Sequence, residues 1–118
     1  MGQTARFQET LRRLAMIDEG FVEDEAGLGL DPGASTLDPR TTALLQVAAS
    51  VALGSPAVCR EWSAARALAA GATEDEIADV LLAIAPVAGL GRIVAAAPDV
   101  ATGLGYDIPA ALEDPDDQ

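Results

Sequence analysis

From Leu37 to Leu104 the apolar residues recur three and four positions apart, with no sustained alternation and no internal repeat, so the chain reads as a series of helices without strands. Leu44, Leu45, Val47, Ala48, Val51 and Ala52 cover most of the circumference of one segment, which predicts a central helix packed against several neighbours. Leu37-Asp38-Pro39 is its start, because an aspartate can accept the unpaired first-turn amides and a proline at the first helical position gives up an amide that has no partner there. The helix is expected to reach about Leu53 and stop at Gly54. Ser55-Pro56 repeats the cap-and-proline device and opens the next helix, which ends near Ala70 with Gly71 as a left-handed cap.

Thr73 and Glu76 have the spacing of a capping box, with Ala72 and Ile77 placed for a hydrophobic staple and Glu74 and Asp75 at the positive end of the helix dipole. Ile77, Val80, Leu81, Ile84 and Val87 or Ala88 form the stripe of this helix, and Pro86 is expected to kink its last turn before Gly89-Leu90-Gly91. A last helical stretch is expected from Arg92 to Leu104, interrupted at Pro98 and ended by Gly105. Upstream, Phe7, Leu11, Leu14 and Ala15 mark a short amphipathic helix over residues 4–16. Residues 17–36 read as a packed connection anchored by Phe21-Val22 and Leu28-Gly29-Leu30, with a helical turn over 21–27, and the acidic end from Glu113 to Gln118 as a frayed tail.

Composition narrows the function. At 118 residues the chain fits one domain, near the size at which a second subunit helps to bury the core. Alanine dominates its apolar half, and Phe7, Phe21, Trp62 and Tyr106 are the only aromatic residues, so the helix faces are shallow and self-association is expected. Seven arginines, no lysine and nineteen acids give a net charge of −12, which disfavours nucleic acid and anionic membranes as partners. The first residues lack the apolar core of a secretion signal and no run is long enough to span a bilayer, which predicts a soluble cytoplasmic protein.

Without histidine or lysine, and with Cys59 as the sole cysteine, the chain has no imidazole base, no Ser-His-Asp triad, no Schiff-base amine and no internal dithiol. No metal is expected, since only an oxygen site is possible and the acids lack EF-hand-like spacing. No cofactor is expected either. The glycines at 27–29 and 89–91 are turn devices, not phosphate cradles between a strand and a helix.

Leu-Asp-Pro-Arg opening a helix, then Ala-Leu-Gly-Ser-Pro, then Ala-Leu-Ala-Ala-Gly-Ala-Thr-Glu-Asp-Glu-Ile and a helix ending Ala-Pro-Val-Ala-Gly-Leu resembles the carboxymuconolactone decarboxylase family, which includes the alkylhydroperoxidase D-like proteins. The match covers roughly residues 37–97. It implies an all-α compact bundle of five to six helices, a single domain over residues 1–112 with a tail at 113–118, assembly as homo-trimers or homo-hexamers, and a pocket near the start of the helix at Ser55. The redox branch of that family carries Cys-x-x-Cys-x-x-x-His on this helix. Anchored on Gly71-Ala72-Thr73, its second cysteine falls on Cys59, its first on Pro56 and its histidine on Ser63. The glutamate of its preceding helix has no counterpart in Ala43-Leu44-Leu45, and the histidine of the lactone decarboxylase branch also falls on Ser63. The fold carries over, whereas the dithiol peroxidase chemistry and the imidazole chemistry do not.

The candidate site therefore centres on this helix. Cys59 sits in its first turns beside Arg60, where the helix dipole favours a thiolate, against the alternative of a small buried side chain. Ser63 lies on the same face and can bind a ligand or bond back to the carbonyl of Cys59. Glu61 is the candidate acid or base of the helix. Arg60, Arg66 and Arg92 are candidates to hold an anionic group, and Trp62 is expected to fill a gap in the core or at a subunit interface, or to wall the pocket. Asp18, Glu19, Glu23, Asp24 and Glu25 supply further acids in the connection, expected to be solvated unless the connection folds over the site. The leading reading is a non-peroxidase that binds a small, possibly acidic, organic molecule, with cofactor-independent proton transfer of the decarboxylase, isomerase or lactone type. The alternatives are a catalytically silent binding or assembly module and a single-cysteine thiol protein.

Overall fold

The computed structural model describes residues 5–16 and 36–108. The chain divides into two units, Met1–Thr36 and Leu37–Gln118. The expected turn at 21–27, the acids between Asp18 and Glu25, and the tail at 113–118 lie outside the described residues.

In the first unit, α1 spans Arg6–Ala15. Its one-turn pair is Arg12 on Glu9, at 3.1 and 2.6 Å. Phe7, Leu11 and Leu14 stay exposed along one side.

In the second unit, α2 (Pro39–Ala52), α3 (Ala57–Ala69), α4 (Glu74–Ala88) and α5 (Leu90–Gly103) form an all-α bundle. The Asp38 carboxylate caps α2 by accepting the Thr41 amide at 2.7 Å, and Pro39 opens the helix as its pattern requires. The capping box of α4 is also present: Thr73 Oγ1 accepts the Glu76 amide at 3.0 Å while Glu76 Oε1 accepts the Thr73 amide at 2.9 Å. The staple residues Ala72 and Ile77 are both buried.

The start of α3 departs from the sequence pattern. Pro56, not Ser55, is the residue before its first turn, and no side chain caps it. Ser55 is already committed to the end of α2: its amide bonds the Ser50 carbonyl at 3.0 Å while the Gly54 amide bonds that of Val51 at 3.1 Å. This is a Schellman closure, with Gly54 left-handed at φ 67°. The same pairing of bonds ends α3 at Gly71 and α5 at Gly105.

α5 also differs from expectation. It begins at Leu90 rather than Arg92 and runs unbroken through Pro98. The carbonyl that Pro98 leaves without an amide belongs to Val94, an exposed residue on the outer side of the helix, where a missing bond costs less than in the core. Thr102 Oγ1 in turn donates to the Pro98 carbonyl at 3.0 Å. Pro86 is likewise inside α4. Gly89, at φ 94°, is the single residue between α4 and α5 and caps both, a joint that a side chain would strain.

Ala43, Val47 and Val51 of α2, Ala64 and Ala67 of α3, Ile77 and Leu81 of α4, and Ile93, Ala96 and Val100 of α5 make the core. α2 touches all three other helices of its unit, as a central helix should, but Leu45 and Ala52 face outward and its apolar girdle is incomplete. The α3–α5 packing is the most extensive. It is close because of Gly103: a Cβ there would lie well inside contact distance of the Glu61 carbonyl oxygen and 3.0 Å from Ala64 Cβ.

Candidate functional site

Arg60 projects from the second turn of α3 to α5, where its Nε donates to Asp99 Oδ2 at 2.9 Å and its Nη2 closes on the same oxygen. Nη1 donates to the Ser55 carbonyl. All three guanidinium nitrogens are therefore engaged, and one side chain ties together the end of α2, α3 and α5. Both partners are largely withdrawn from water, with side-chain exposures of 14% for Arg60 and 22% for Asp99.

Ser63 is buried and its hydroxyl donates to the Arg60 carbonyl at 3.0 Å, not to that of Cys59. The same hydroxyl lies 3.2 Å from Ser50 Oγ, which has the Val47 carbonyl at 2.9 Å as its own acceptor; each hydroxyl has a single hydrogen, so a bond between the two serines forms when one of them releases its carbonyl. The two serines meet where α2 packs on α3. Cys59 is a free, exposed thiol, and Glu61 is half-buried.

Trp62 does not fill the core of its unit. It is 52% exposed, with the Arg66 guanidinium 5.0 Å from its ring centroid in a cation–π arrangement. Arg66 Nη1 also donates to Gln46 Oε1 at 3.2 Å. Arg92 is exposed and lies over Gly54 at the end of α2. Among the described residues, Arg60 thus pairs with Asp99, Arg66 meets Trp62 and Gln46, and Arg92 lies over Gly54.

The wall that Asp99 contributes belongs to an open cleft of about 440 Å³ at the C-terminal end of α5, lined also by Pro98, Thr102, Gly105, Tyr106, Asp107 and Ile108. A wholly apolar groove of about 190 Å³ runs between α2 and α4 past Leu44, Leu45, Val80 and Ile84. The sequence pattern singled out neither. Asp99 and Tyr106 lie on a helix and turn read only as structure, and the pairing of Arg60 with a residue 39 positions away has no local signature.

A second long-range pair, Arg40 with Glu76, links the first turns of α2 and α4. The Glu76 carboxyl is held below its ordinary range, first by the Thr73 amide and then by Arg40. The Thr41 amide does the same for Asp38. Among the described residues no group of three or more histidines, cysteines or acids is arranged to hold a metal, and no helix is long and apolar enough to cross a membrane.

The sequence model of the carboxymuconolactone decarboxylase family matches residues 23–101, more than half of the chain. No curated protein and no solved structure matches it.

Proposed function

Because the chain belongs to the carboxymuconolactone decarboxylase family, we propose that it is a cytoplasmic homo-oligomer that binds a small organic molecule and uses neither the dithiol nor the imidazole chemistry of its relatives. The observation that carries the reading is the cleft beside Asp99, whose volume of about 440 Å³ falls in the range of small-molecule sites. Asp99 lines the cleft, and both Arg60 bonds to it fall on Oδ2, so Oδ1 takes part in neither. In cofactor-independent proton transfer Asp99 would take a proton from the ligand and return it, with Arg60 fixing the orientation of the carboxylate. Isomerisation uses the whole cycle, and decarboxylation or lactone processing one half of it, a proton delivered or removed.

Assembly as a trimer or hexamer is part of the proposal. It draws support from the large apolar side chains that the second unit leaves outside, Leu53, Leu82, Val87, Leu90 and Val94 among them, more than a short monomeric bundle needs to expose. The exposed Cys59 thiol supports a second reading, a single-cysteine thiol protein resolved by an outside thiol.

The test is a fragment screen by two-dimensional NMR on the assigned protein, with sedimentation to read the number of chains. Fragments that shift Asp99, Thr102 and Tyr106, and lose affinity on Asp99→Asn, are the expected result. A library that leaves these resonances unmoved overturns the ligand-binding reading and favours a catalytically silent assembly module.

A further inference from the structure

Resting on that reading of the cleft, we propose that the ligand class it takes is a small organic amine, bound as its ammonium ion, rather than an acid. An anionic ligand needs a cationic receptor, and no arginine lines the cleft. The guanidinium bonded to this wall, Arg60, is not itself part of the lining and already has its charge matched by Asp99, with its third nitrogen on the Ser55 carbonyl, so it offers an incoming carboxylate little net attraction. Arg66 is stacked on Trp62 and bonded to Gln46, and Arg92 lies over Gly54.

What the cleft offers instead suits a cation. Asp99 lines the cleft, and both of its bonds to Arg60 use Oδ2, so its carboxylate is held in place with Oδ1 outside that pair as an acceptor for an N⁺–H donor. Tyr106, an exposed residue, brings an aromatic ring to the same cleft, able to receive either an ammonium or the hydrocarbon body that carries one. Thr102 has its hydroxyl hydrogen committed to the Pro98 carbonyl, so its oxygen faces a ligand as an acceptor only. Asp107 adds a second acid to the lining. The whole chain, at −12, concentrates cations and repels anions on the way in. Proline 98, Gly105 and Ile108 complete an otherwise apolar surround that selects for a hydrocarbon substituent over a bare inorganic ion.

The experiment titrates the full-length protein with three probes of one shape and different charge, phenethylamine, 2-phenylethanol and phenylacetate, following the amide resonances of residues 98–108. Phenethylamine is expected to bind about tenfold more tightly than phenylacetate, the size of one charge-assisted hydrogen bond. Tyr106→Leu is expected to weaken the amine several-fold, with Tyr106→Phe restoring it. Because Tyr106 is exposed and outside the core, this variant keeps the test interpretable even where Asp99→Asn loosens the helix crossing. Phenylacetate binding in the cleft as tightly as the amine overturns the amine assignment and leaves the cleft as a ligand site. No shift at residues 98–108 with any probe overturns both.

Discussion

Arg60 grips a single oxygen of Asp99 across the α3–α5 crossing and at the same time holds the backbone carbonyl of Ser55. The pair is shielded enough that removing one partner strands the other's charge in a place water only partly reaches. Asp99→Ala is therefore expected to cost about 1–3 kcal/mol of stability in urea unfolding. The double variant Arg60→Ala/Asp99→Ala should lose less than the sum of the singles, because the second change removes the stranded charge. Strict additivity would show that the two side chains act separately.

The close crossing beneath that pair rests on a missing side chain. Gly103 sits against the Glu61 carbonyl, so a methyl group there meets backbone, which cannot step aside as a flexible side chain can. Gly103→Ala is expected to force α3 and α5 apart at a cost of about 1–3 kcal/mol, although alanine is the better helix former. A melting temperature equal to or above that of the parent would mean that the crossing is looser than the structure has it.

How much of this is legible in the chain follows from the range of each interaction. Asp38-Pro39, Thr73 with Glu76, and the Gly54 and Gly71 stops act within one turn of backbone, and their chemistry is readable from adjacent letters. Ser55 misleads because two helix ends compete for one residue, and the Schellman bond of α2 wins over a cap for α3. Pro98 misleads because the cost of proline in a helix depends on which carbonyl it orphans and whether water reaches it, which spacing does not encode. The family resemblance points to α3 through Cys59 and Ser63, and the structure buries Ser63 against the Arg60 carbonyl and Ser50 while a cleft opens at the end of α5 around Asp99 and Tyr106, which no adjacent letters mark. A glycine inside a helical pattern was the available signal for the crossing at Gly103. The long-range arginine pairs leave no such mark.

Acid should weaken the fold through its helix starts. Asp38 and Glu76 have carboxyls lowered in the folded chain, by the Thr41 and Thr73 amides first. A group whose folded pKa lies below its unfolded value stabilises fully above the unfolded value, and that contribution fades as pH falls through the folded one. Urea midpoints are expected to hold steady near neutrality and to decline from about pH 5 downward. In Glu76→Gln the decline should be shallower, since one of the contributing carboxyls is gone. An identical slope in that variant would remove Glu76 from the account.

Thr42 carries a buried hydroxyl with no hydrogen-bond partner among the described residues. An unsatisfied buried hydroxyl costs free energy that an apolar atom of similar size does not. Thr42→Val is expected to leave the fold intact and raise stability by about 1 kcal/mol, read as a higher urea midpoint at unchanged slope. A loss of stability would reveal a partner that the hydroxyl finds in solution.

Cys59 separates two of the functional readings, because its exposure makes it addressable without unfolding. An aromatic disulfide reagent is expected to label one thiol per chain in the native state, and Cys59→Ser should abolish the signal. The informative quantity is the native labelling rate set against that of the urea-unfolded chain at the same pH. The cleft reading gives the thiol no role and expects native labelling no faster than in the unfolded chain. Native labelling several-fold faster than that would transfer the chemistry from the cleft to the thiol, and Arg60→Ala would then show whether that guanidinium sustains it.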